Sequence, residues 1–274
     1  MTPDLLVAED LQIAFPSRRG QPIAALRGVS VRVGRGETVG IVGESGSGKT
    51  TLGRALLRLV DVASGRIRFD GRDITRLGEE EMRPLRRRMQ LIFQDPMAAL
   101  NPRHTIRRIL CEPMRFHGVA ADSADAERRA RAIFDRFSLP VACLSRYPHE
   151  LSGGQRQRVG IARAVLLAPD FLLADEIVSG LDVSTQAQAL NLLQDLSRDL
   201  GLAMAFISHD LSVVRAVCDR VYVLRHGVVV EEGRCEAVFA APRHAYTRAL
   251  LDAIPPPRVD PGWLDRQLSE PGSS

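Results

Sequence analysis

The chain has 274 residues, of which 45% are hydrophobic and 26% charged, and its formal net charge is +4. This length suits one large domain or two small ones, and the hydrophobic share can supply a core, which excludes a largely disordered chain. No apolar run approaches the roughly 20 residues of a membrane-spanning helix. The acidic first ten residues differ from a signal peptide, so we expect an intracellular chain.

Alternating apolar residues predict a strand over 5–15, and glycine turns separate two further strands within 23–43. A helical period begins directly after a glycine-rich stretch and covers 49–60. Residues 65–74 predict a strand followed by a turn, and 89–96 predict a buried strand that proline ends. The first third of the chain is therefore rich in strands.

Residues 101–147 are mostly helical in pattern, and Asp122 or Ser123 can cap the helix that follows. The remaining predicted elements are a helix over 156–168, a strand over 171–176, a helix over 183–200, a strand over 203–210 and a hairpin over 221–233. Strands that alternate with helices favour an α/β fold with a parallel sheet. The proline- and glycine-rich end, 255–274, predicts a loose tail.

Basic clusters and cysteines each admit two interpretations. The densest arginine stretches, 83–89 and 127–136, lie in helix-like segments of mixed charge, which favours solvated helix faces over a nucleic-acid surface. The cysteines form no CxxC pair, which favours free thiols over a metal site. They are Cys111, Cys143, Cys218 and Cys235.

A glycine-rich stretch, GESGSGKTT, follows the strand TVGIVG and opens a helix. Its residues are Gly43, Glu44, Ser45, Gly46, Ser47, Gly48, Lys49, Thr50 and Thr51. Glycines allow backbone N–H groups to converge on phosphate oxygens, and the helix N-terminus adds partial positive charge. The stretch therefore predicts a cradle for the phosphates of ATP, with the Thr50 hydroxyl available to Mg²⁺.

Lys49 is the single lysine among 37 lysine and arginine residues. An ammonium group is a compact charge on a thin stem, whereas a guanidinium is planar and prefers two parallel hydrogen bonds. A cradle formed by backbone admits the first shape and not the second. Lys49 is therefore predicted to contact the β- and γ-phosphates.

Two adjacent acids end the predicted strand FLLADE, where ligands of open α/β sheets bind. Asp175 suits the coordination shell of Mg²⁺, and Glu176 suits a general base for water. A solvated pair of surface acids is the alternative. Their position after the cradle favours the catalytic interpretation.

The stretch LSGGQRQRVGIARA, residues 151–164, resembles the signature of ATP-binding cassette (ABC) ATPases. Ser152, Gly153, Gly154 and Gln155 precede or open a helix, whose bare N-terminus can take an anion. In that family the signature of one subunit grips the γ-phosphate held by another. The resemblance therefore implies a second ATPase subunit, which is either a copy or a paralogue.

Four further residues match motifs of the ABC family in their order along the chain. The resemblance implies that Phe15 stacks on adenine, and that Gln94 contacts Mg²⁺ and water and senses the membrane partner. It implies that Asp182 lies in a loop at the dimer interface and that His209 acts at the γ-phosphate. Taken singly, Phe15 could be a core residue, Gln94 a strand-end cap and His209 a turn residue.

The resemblance covers about residues 5–254 and implies a RecA-like P-loop NTPase core with an antiparallel β subdomain and an inserted helical subdomain. We expect an ABC ATPase domain over 1–254, with the helical subdomain at about 96–151. The tail, 255–274, lies outside it.

Finer motifs, such as QLIFQDPMAALNPRHTI and RHAYTRALLDAIP, resemble ATPases of bacterial oligopeptide, dipeptide and nickel importers, and TLGR resembles the second ATPase of such systems. This implies ATP hydrolysis at the cytoplasmic face of the membrane, two transmembrane permease subunits and, indirectly, an extracytoplasmic substrate-binding protein. Nucleic acid is not an expected partner.

The sequence departs from these relatives in two places. Ile177 replaces a common proline, which leaves the carboxylate before it unchanged. The cysteine cluster of some relatives is missing after Cys235, so we expect no iron–sulfur site. A soluble ABC ATPase acting on nucleic acid or ribosomes is the alternative function; its usual additions, a second cassette, a coiled coil or a zinc module, do not occur in this sequence.

Overall fold

The computed structural model describes residues 4–16, 20–177 and 183–253, which form two β-sheets and flanking helices. The strands are β1 (Asp4–Phe15), β2 (Ile23–Gly34), β3 (Thr38–Val42), β4 (Ser64–Phe69), β5 (Arg72–Asp73), β6 (Met89–Ile92), β7 (Phe171–Asp175), β8 (Ala203–Ile207), β9 (Arg220–Arg225) and β10 (Val228–Arg234). The helices are α1 (Lys49–Leu56), α2 (Glu79–Arg88), α3 (Pro96–Ala99), α4 (Ile106–Phe116), α5 (Ser123–Arg136), α6 (Gly153–Val165), α7 (Val183–Leu200), α8 (Leu211–Val217), α9 (Cys235–Ala240) and α10 (Ala245–Asp252).

The larger sheet has the strand order β10-β9-β3-β8-β7-β6. Neighbouring strands from β9 to β6 are parallel, and β10 closes the edge as an antiparallel hairpin with β9. Every residue of β3, β7 and β8 is buried, as in strands covered on both faces. The predicted α/β parallel sheet is confirmed, and the carboxyl ends of its parallel strands meet at one edge.

The smaller sheet is antiparallel and has the order β2-β1-β4-β5. Its inner face shares one hydrophobic cluster with α1 and β3, in which Leu6, Val31, Ile41 and Leu52 are at most 2% exposed. Apolar burial of this kind is the main stabilising contribution to such a layer. The expected antiparallel β subdomain is confirmed, and it holds β3 and α1 from one side.

A helical segment lies between β6 and α6 in the sequence and contains α3, α4 and α5. Asp122 caps α5, because its carboxylate accepts a hydrogen bond from the Asp125 N–H at 2.8 Å. Met114 and Phe134 are fully buried in the same cluster as Val159 of α6. The segment therefore supports the start of α6, while its proposed bounds of about 96–151 stay a prediction.

The prediction for α1 was wrong at its end, because the helix stops at Leu56 and not at residue 60. Arg58 adopts a left-handed conformation with φ 53°. The Leu59 N–H donates to the Arg54 carbonyl, and the Arg58 N–H donates to the Ala55 carbonyl, both at 2.8 Å. This pair of bonds is a Schellman ending. Glycine usually supplies its left-handed residue, so an arginine there gave no sequence signal.

Two further differences concern edges of the molecule. Strand β6 ends the sheet, and its central Gln90 and Leu91 are half-buried, so the prediction of a buried strand was wrong for them. Helices α9 and α10 were not predicted; each is eight residues or shorter, too short for a clear helical period. Among the described helices, none combines the length and apolar character that crossing a membrane requires.

Candidate nucleotide site

The cradle loop, residues 43–48, joins β3 to α1, and the Lys49 side chain folds back over it. The Lys49 Nζ donates to the carbonyls of Gly43 and Glu44, both at 2.8 Å, and the residue is 5% exposed. Burial lowers the Lys49 pKa, while the carboxylates of Glu176, Asp175 and Glu44 act in the opposite direction. A cation is thus held at the mouth of the loop, where phosphate oxygens would compensate it.

Two glycines of the loop leave no room for a side chain. Gly43 has φ 148°, and an added Cβ would overlap the carbonyl oxygen of Leu224 on β9. Gly48 has φ 106°, and its added Cβ would lie 2.7 Å from the Ala25 carbonyl oxygen on β2. Both backbones require glycine for conformation and for space. The loop is therefore shaped by β2 and β9 as much as by its own sequence.

Two hydrogen bonds from the C-terminal part of the chain support the same loop. The Gly227 N–H, in the β9–β10 turn, donates to the Ser47 carbonyl at 2.9 Å. The Glu44 N–H donates to the Tyr246 hydroxyl of α10 at 2.9 Å. Glu44 was predicted as a cofactor-binding residue, yet its amide already has this partner. Sequence reasoning missed Tyr246, although the stretch RHAYTRALLDAIP that contains it stood out.

Asp175 ends β7 beside the first turn of α1. Its Oδ1 accepts from the Thr50 Oγ1 at 3.4 Å, and the residue is 8% exposed. Burial and then the neighbouring Glu176 raise the pKa of Asp175, against the hydrogen bond from Thr50 and the charges of Arg54 and Lys49. Carboxylate and hydroxyl oxygens are ligands that suit Mg²⁺, which takes one or two protein ligands besides phosphates.

The protein offers few ligands to a metal ion at this place. Within the described residues, no group of three or more His, Cys, Asp or Glu side chains could hold a metal ion. A cation at Asp175 and Thr50 would therefore need further ligands from the nucleotide, as Mg²⁺ bound with phosphates does.

Glu176, Gln94 and His209 come together although they follow three different strands. The Gln94 Nε2 donates to the Glu176 Oε2 at 3.1 Å, and the His209 Nδ1 lies 3.7 Å from the same oxygen. The Glu176 backbone is left-handed, with φ 48°, and its N–H donates to the Ile207 carbonyl at 3.0 Å. A non-glycine residue in this conformation is uncommon and clusters at functional sites. The structure thus brings together the three predicted catalytic side chains.

Ile177, the departure from the family pattern, is a core residue and is 1% exposed. Its carbonyl accepts from the buried Gln157 Nε2 of α6 at 2.7 Å. This bond ties the residue after Glu176 to α6. The isoleucine therefore fills the position without moving the carboxylate away from Gln94.

Phe15 ends β1 and is 43% exposed, so the alternative that it is a core residue was wrong. It pairs with Ile23, which is 63% exposed, at the start of β2. Ile23 lies two residues before Ala25, whose carbonyl bounds Gly48 of the cradle. An exposed aromatic face on this strand end can stack on a flat base.

The signature residues form the N-terminus of α6. The Gln155 N–H donates to the Ser152 Oγ at 3.3 Å, and the Ser152 N–H donates to the Gln155 Oε1 at 3.0 Å, which is a capping box. An added Cβ on Gly153 would meet open space, while one on Gly154 would touch Thr185 of α7. Asp182, the predicted interface residue, lies outside the described residues, as does the tail 255–274.

Comparison with known proteins identifies two family regions. Residues 26–179 match the family described as "ABC transporter", and residues 230–273 match "Oligopeptide/dipeptide transporter, C-terminal region". The first match contains the cradle, Gln94, the signature, Asp175 and Glu176. The second contains Tyr246 and α10.

Named relatives and solved structures agree with these matches. A Brucella ovis protein named "Putative peptide import ATP-binding protein" is 54% identical over 91% of this chain and 78% of its own length. The "Oligopeptide transport ATP-binding protein OppF" of Salmonella typhimurium is 45% identical over 93% of this chain and 79% of its own. The ATP-binding cassette MJ0796, solved as a dimer bound to ADP and Pi, has a TM-score of 0.77 and 28% identity and covers 84% of this chain and 98% of its own.

Replacing Gly43 by alanine is expected to destabilise the protein more than replacing Gly46. Both glycines have positive φ, but an added Cβ at Gly46 meets open space. Gly46→Ala should therefore cost only the left-handed backbone, about 1–2 kcal/mol. Gly43→Ala must also separate the loop from β9, for about 1–3 kcal/mol more. Denaturant unfolding without nucleotide measures both losses, and equal losses would contradict the packing described here.

Proposed function

Because this chain belongs to the ABC transporter family of ATP-binding proteins, we propose that it is the subunit whose ATP hydrolysis energises a membrane importer of dipeptides, oligopeptides or nickel. The observation that carries the proposal is the cluster of Glu176, Gln94 and His209 in a chain whose 230–273 region matches oligopeptide and dipeptide transporters. The names of the relatives favour peptides as the cargo.

The second candidate, a soluble ABC ATPase that acts on nucleic acid or ribosomes, receives less support. Its one favourable observation is the net charge of +4. The arginines of α5, however, pair with acids, most of them on the same helix, as in Arg131 with Glu127 and Arg129 with Asp125. Such neutralised helix faces offer little to a phosphate backbone.

In the proposed reaction the cradle binds the triphosphate before any bond breaks. Backbone N–H groups of the cradle and the N-terminus of α1 would face the β- and γ-phosphates, with Lys49 as a point charge. Phe15 supplies a stacking surface for adenine. Asp175 and Thr50, joined at 3.4 Å, would hold Mg²⁺ together with Gln94. The metal would supply charge neutralisation between the phosphates and these oxygens.

Glu176 is the proposed general base that takes a proton from the attacking water. Its Oε2 already accepts from Gln94 and lies near His209. Gln94 orients the carboxylate and the water, and His209 contacts the γ-phosphate. A carboxylate with a fixed lone pair and two polar neighbours needs little reorganisation when the proton moves.

We expect separate effects from Lys49 and Glu176. Lys49→Ala should weaken ATP binding and hydrolysis together, and Lys49→Arg should also fail because the fork does not fit between the two carbonyls. Glu176→Gln should bind ATP normally and lose about 10²–10⁴-fold in turnover, since it keeps the shape and loses the base. Steady-state ATPase rates and nucleotide affinities decide this. Loss of ATP affinity in Glu176→Gln as severe as in Lys49→Ala would refute the proposed role.

The complete site is proposed to be shared by two subunits. The chain has one cradle and one signature, and the N-terminus of α6 offers Gly153 an open approach for an anion. The dimeric structures of a cassette with TM-score 0.77 support a pair of subunits, which we propose to be arranged head to tail. The γ-phosphate held by one subunit would then contact residues 152–155 and the Asp182 loop of the other.

Mixing two inactive variants tests this sharing. Gly153→Asp places a charge where the γ-phosphate would approach, without steric conflict, while Lys49→Ala disables the cradle. Each alone should hydrolyse poorly, and the equimolar mixture should regain activity, because the mixed dimer keeps one intact composite site. Specific activity should also rise with protein concentration. Full wild-type activity that is independent of concentration and of any partner would contradict a shared site.

The proposed permease contact is a groove between α4, α3 and the edge strand β6, at the cytoplasmic face of the membrane. Its volume is about 830 Å³. The side chains that line it are Gln90, Ala99, Asn101, His104, Arg108, Ile109, Glu112, Pro113, Arg115, Phe116, His117, Arg163 and Leu167. Arg163 is largely buried there and donates to the Ala99 carbonyl. Three arginines and one glutamate favour an acidic loop on the permease.

The proposed permease consists of two transmembrane subunits. An extracytoplasmic binding protein would act on these subunits and not on this chain.

Phe116 supports the apolar part of the permease contact, because it is 64% exposed at the end of α4. The Arg83 guanidinium lies 4.8 Å from the centre of its ring. A flat aromatic ring flanked by charge is typical of binding surfaces.

Charge reversal in the groove should uncouple transport from nucleotide binding. Arg108→Glu breaks the pair with Glu112 and repels an acidic loop, whereas Arg198→Glu, the control, breaks a similar exposed pair with Asp195 on α7. Transport by the assembled complex should fall strongly for the first and little for the second. Both variants should bind ATP with wild-type affinity. Normal transport in Arg108→Glu would place the contact elsewhere.

A further inference from the structure

Tyr246 connects the C-terminal helix α10 to the nucleotide cradle. Its hydroxyl accepts from the Glu44 N–H at 2.9 Å, and the residue is 6% exposed. The two residues are 202 positions apart in the sequence. A helix outside the 26–179 match to the ABC transporter family therefore contacts the backbone that surrounds the phosphates.

The tyrosine is itself held in place at three points. The His244 Nδ1 accepts from the Tyr246 N–H at 3.1 Å, and the Arg225 guanidinium lies 4.9 Å from the ring centre. The third point is the Glu44 N–H. A side chain fixed along its whole length can hold a loop, whereas a mobile one would lose entropy on doing so.

The start of α10 is fixed in turn by β10. The Glu231 carboxylate accepts from the N–H of Arg243 at 2.8 Å and from the N–H of His244 at 3.1 Å. Burial raises the pKa of Glu231, but its hydrogen bonds and the His244 charge outweigh this, so the pKa is lowered overall and the ionised form is favoured. A charged acceptor strengthens such bonds. The chain of contacts therefore runs from β10 through α10 to the cradle.

Glu44 contacts both Tyr246 and Lys49, the predicted phosphate-binding lysine. Its N–H is bound by Tyr246, while its carbonyl accepts from the Lys49 Nζ at 2.8 Å and from the Ser47 N–H at 3.2 Å. The backbone N–H and the backbone carbonyl of Glu44 are thus both hydrogen-bonded. These bonds fix the orientation of the peptide planes before and after Glu44. If the plane before Glu44 rotates, the carbonyl of Gly43 moves, and that carbonyl also accepts from Lys49.

We propose that Tyr246 is a positioning residue for the nucleotide cradle, through which α10 sets the affinity of the site for nucleotide. The inference rests on the nucleotide site proposed above and extends it to the C-terminal region. The described contact of Tyr246 with the cradle is to the Glu44 N–H, so we assign it no contact with the reacting atoms. It acts by keeping the loop in the conformation that binds phosphate, and preorganisation of this kind appears as affinity.

The test is Tyr246→Phe, which removes the hydroxyl and keeps the ring under Arg225. Tyr222→Phe is a matched control. The Tyr222 hydroxyl also accepts a hydrogen bond from a backbone N–H, that of Arg32 at 3.0 Å, and the Arg220 guanidinium lies 5.3 Å from the centre of the Tyr222 ring. The Tyr222 hydroxyl bonds to β2 and not to the cradle. Tyr222→Phe also loses the bond that this hydroxyl donates to the Arg32 carbonyl at 3.4 Å, so the control removes at least as much hydrogen bonding, in a different place.

Binding of a fluorescent ATP analogue to the purified full chain, with Mg²⁺, is measured alongside thermal unfolding without nucleotide. Tyr246→Phe should raise Kd by about three- to tenfold, the effect of one hydrogen bond. Tyr222→Phe should stay within about twofold of wild type in Kd. Its loss of Tm should nevertheless be equal to or larger than the loss of Tm in Tyr246→Phe. In the assembled transporter, Tyr246→Phe should raise KM for ATP and leave kcat within about twofold.

Three results would overturn the inference: an unchanged or tighter Kd in Tyr246→Phe, an equal loss of affinity in Tyr222→Phe, or a loss confined to kcat. Failure of the proposed function is a separate result. If the wild-type chain binds no nucleotide, the site assignment itself is wrong. If wild type binds and Tyr246→Phe binds equally well, only the role of Tyr246 is wrong.

Discussion

The ammonium group of Lys49 is the charge around which the rest of the site is arranged. It is almost fully buried, and a buried charge is strongly unfavourable unless polar groups surround it. Two carbonyl oxygens accept its hydrogen bonds, and the carboxylates of Glu176 and Asp175, at and just after the end of β7, act on it. The loop must therefore curve tightly enough to aim two successive carbonyls at one nitrogen. That curvature explains the left-handed glycines and the close approach of β2 and β9.

The carboxylates that face Lys49 repel one another as well as attracting the ammonium group. Asp175 and Glu176 are adjacent, and burial together with the neighbouring Glu176 raises the pKa of Asp175. Lys49 alone does not offset the repulsion between these two carboxylates, because its charge also interacts with the loop carbonyls. A divalent cation between Asp175 and the phosphates would balance the acids and the nucleotide at once. The proposal that the site holds Mg²⁺ is consistent with this local excess of negative charge.

The site also unites parts of the chain that are far apart in sequence. Gln94, Glu176 and His209 follow β6, β7 and β8, which are neighbours in the parallel sheet. Register between these strands places the three side chains within hydrogen-bonding or ion-pair distance at one edge. The left-handed backbone at Glu176 and its bond to the Ile207 carbonyl turn the carboxylate toward its partners. Support from α10 reaches the cradle from the remaining side.

The sequence by itself predicted the α/β fold and the cradle, because each depends on local pattern, whereas Phe15, Gln94 and His209 entered the predicted site through the resemblance to a family. Fully apolar runs such as FLLAD indicate buried parallel strands, and a glycine-rich turn before a helix indicates a phosphate site. The sequence narrowed the cap of α5 to two neighbouring residues, Asp122 and Ser123, and the structure shows that Asp122 is the cap. The end of α1 could not be read in this way, since an arginine occupies the left-handed position that glycine usually marks. The tertiary structure alone decided that Phe15 is exposed, that Gln94 and His209 share the Glu176 carboxylate, and that Tyr246 holds Glu44. These facts depend on the order of the strands in the sheet and on the packing of the short helix α10 against a loop 202 positions earlier in the sequence. No local conformational preference encodes such contacts.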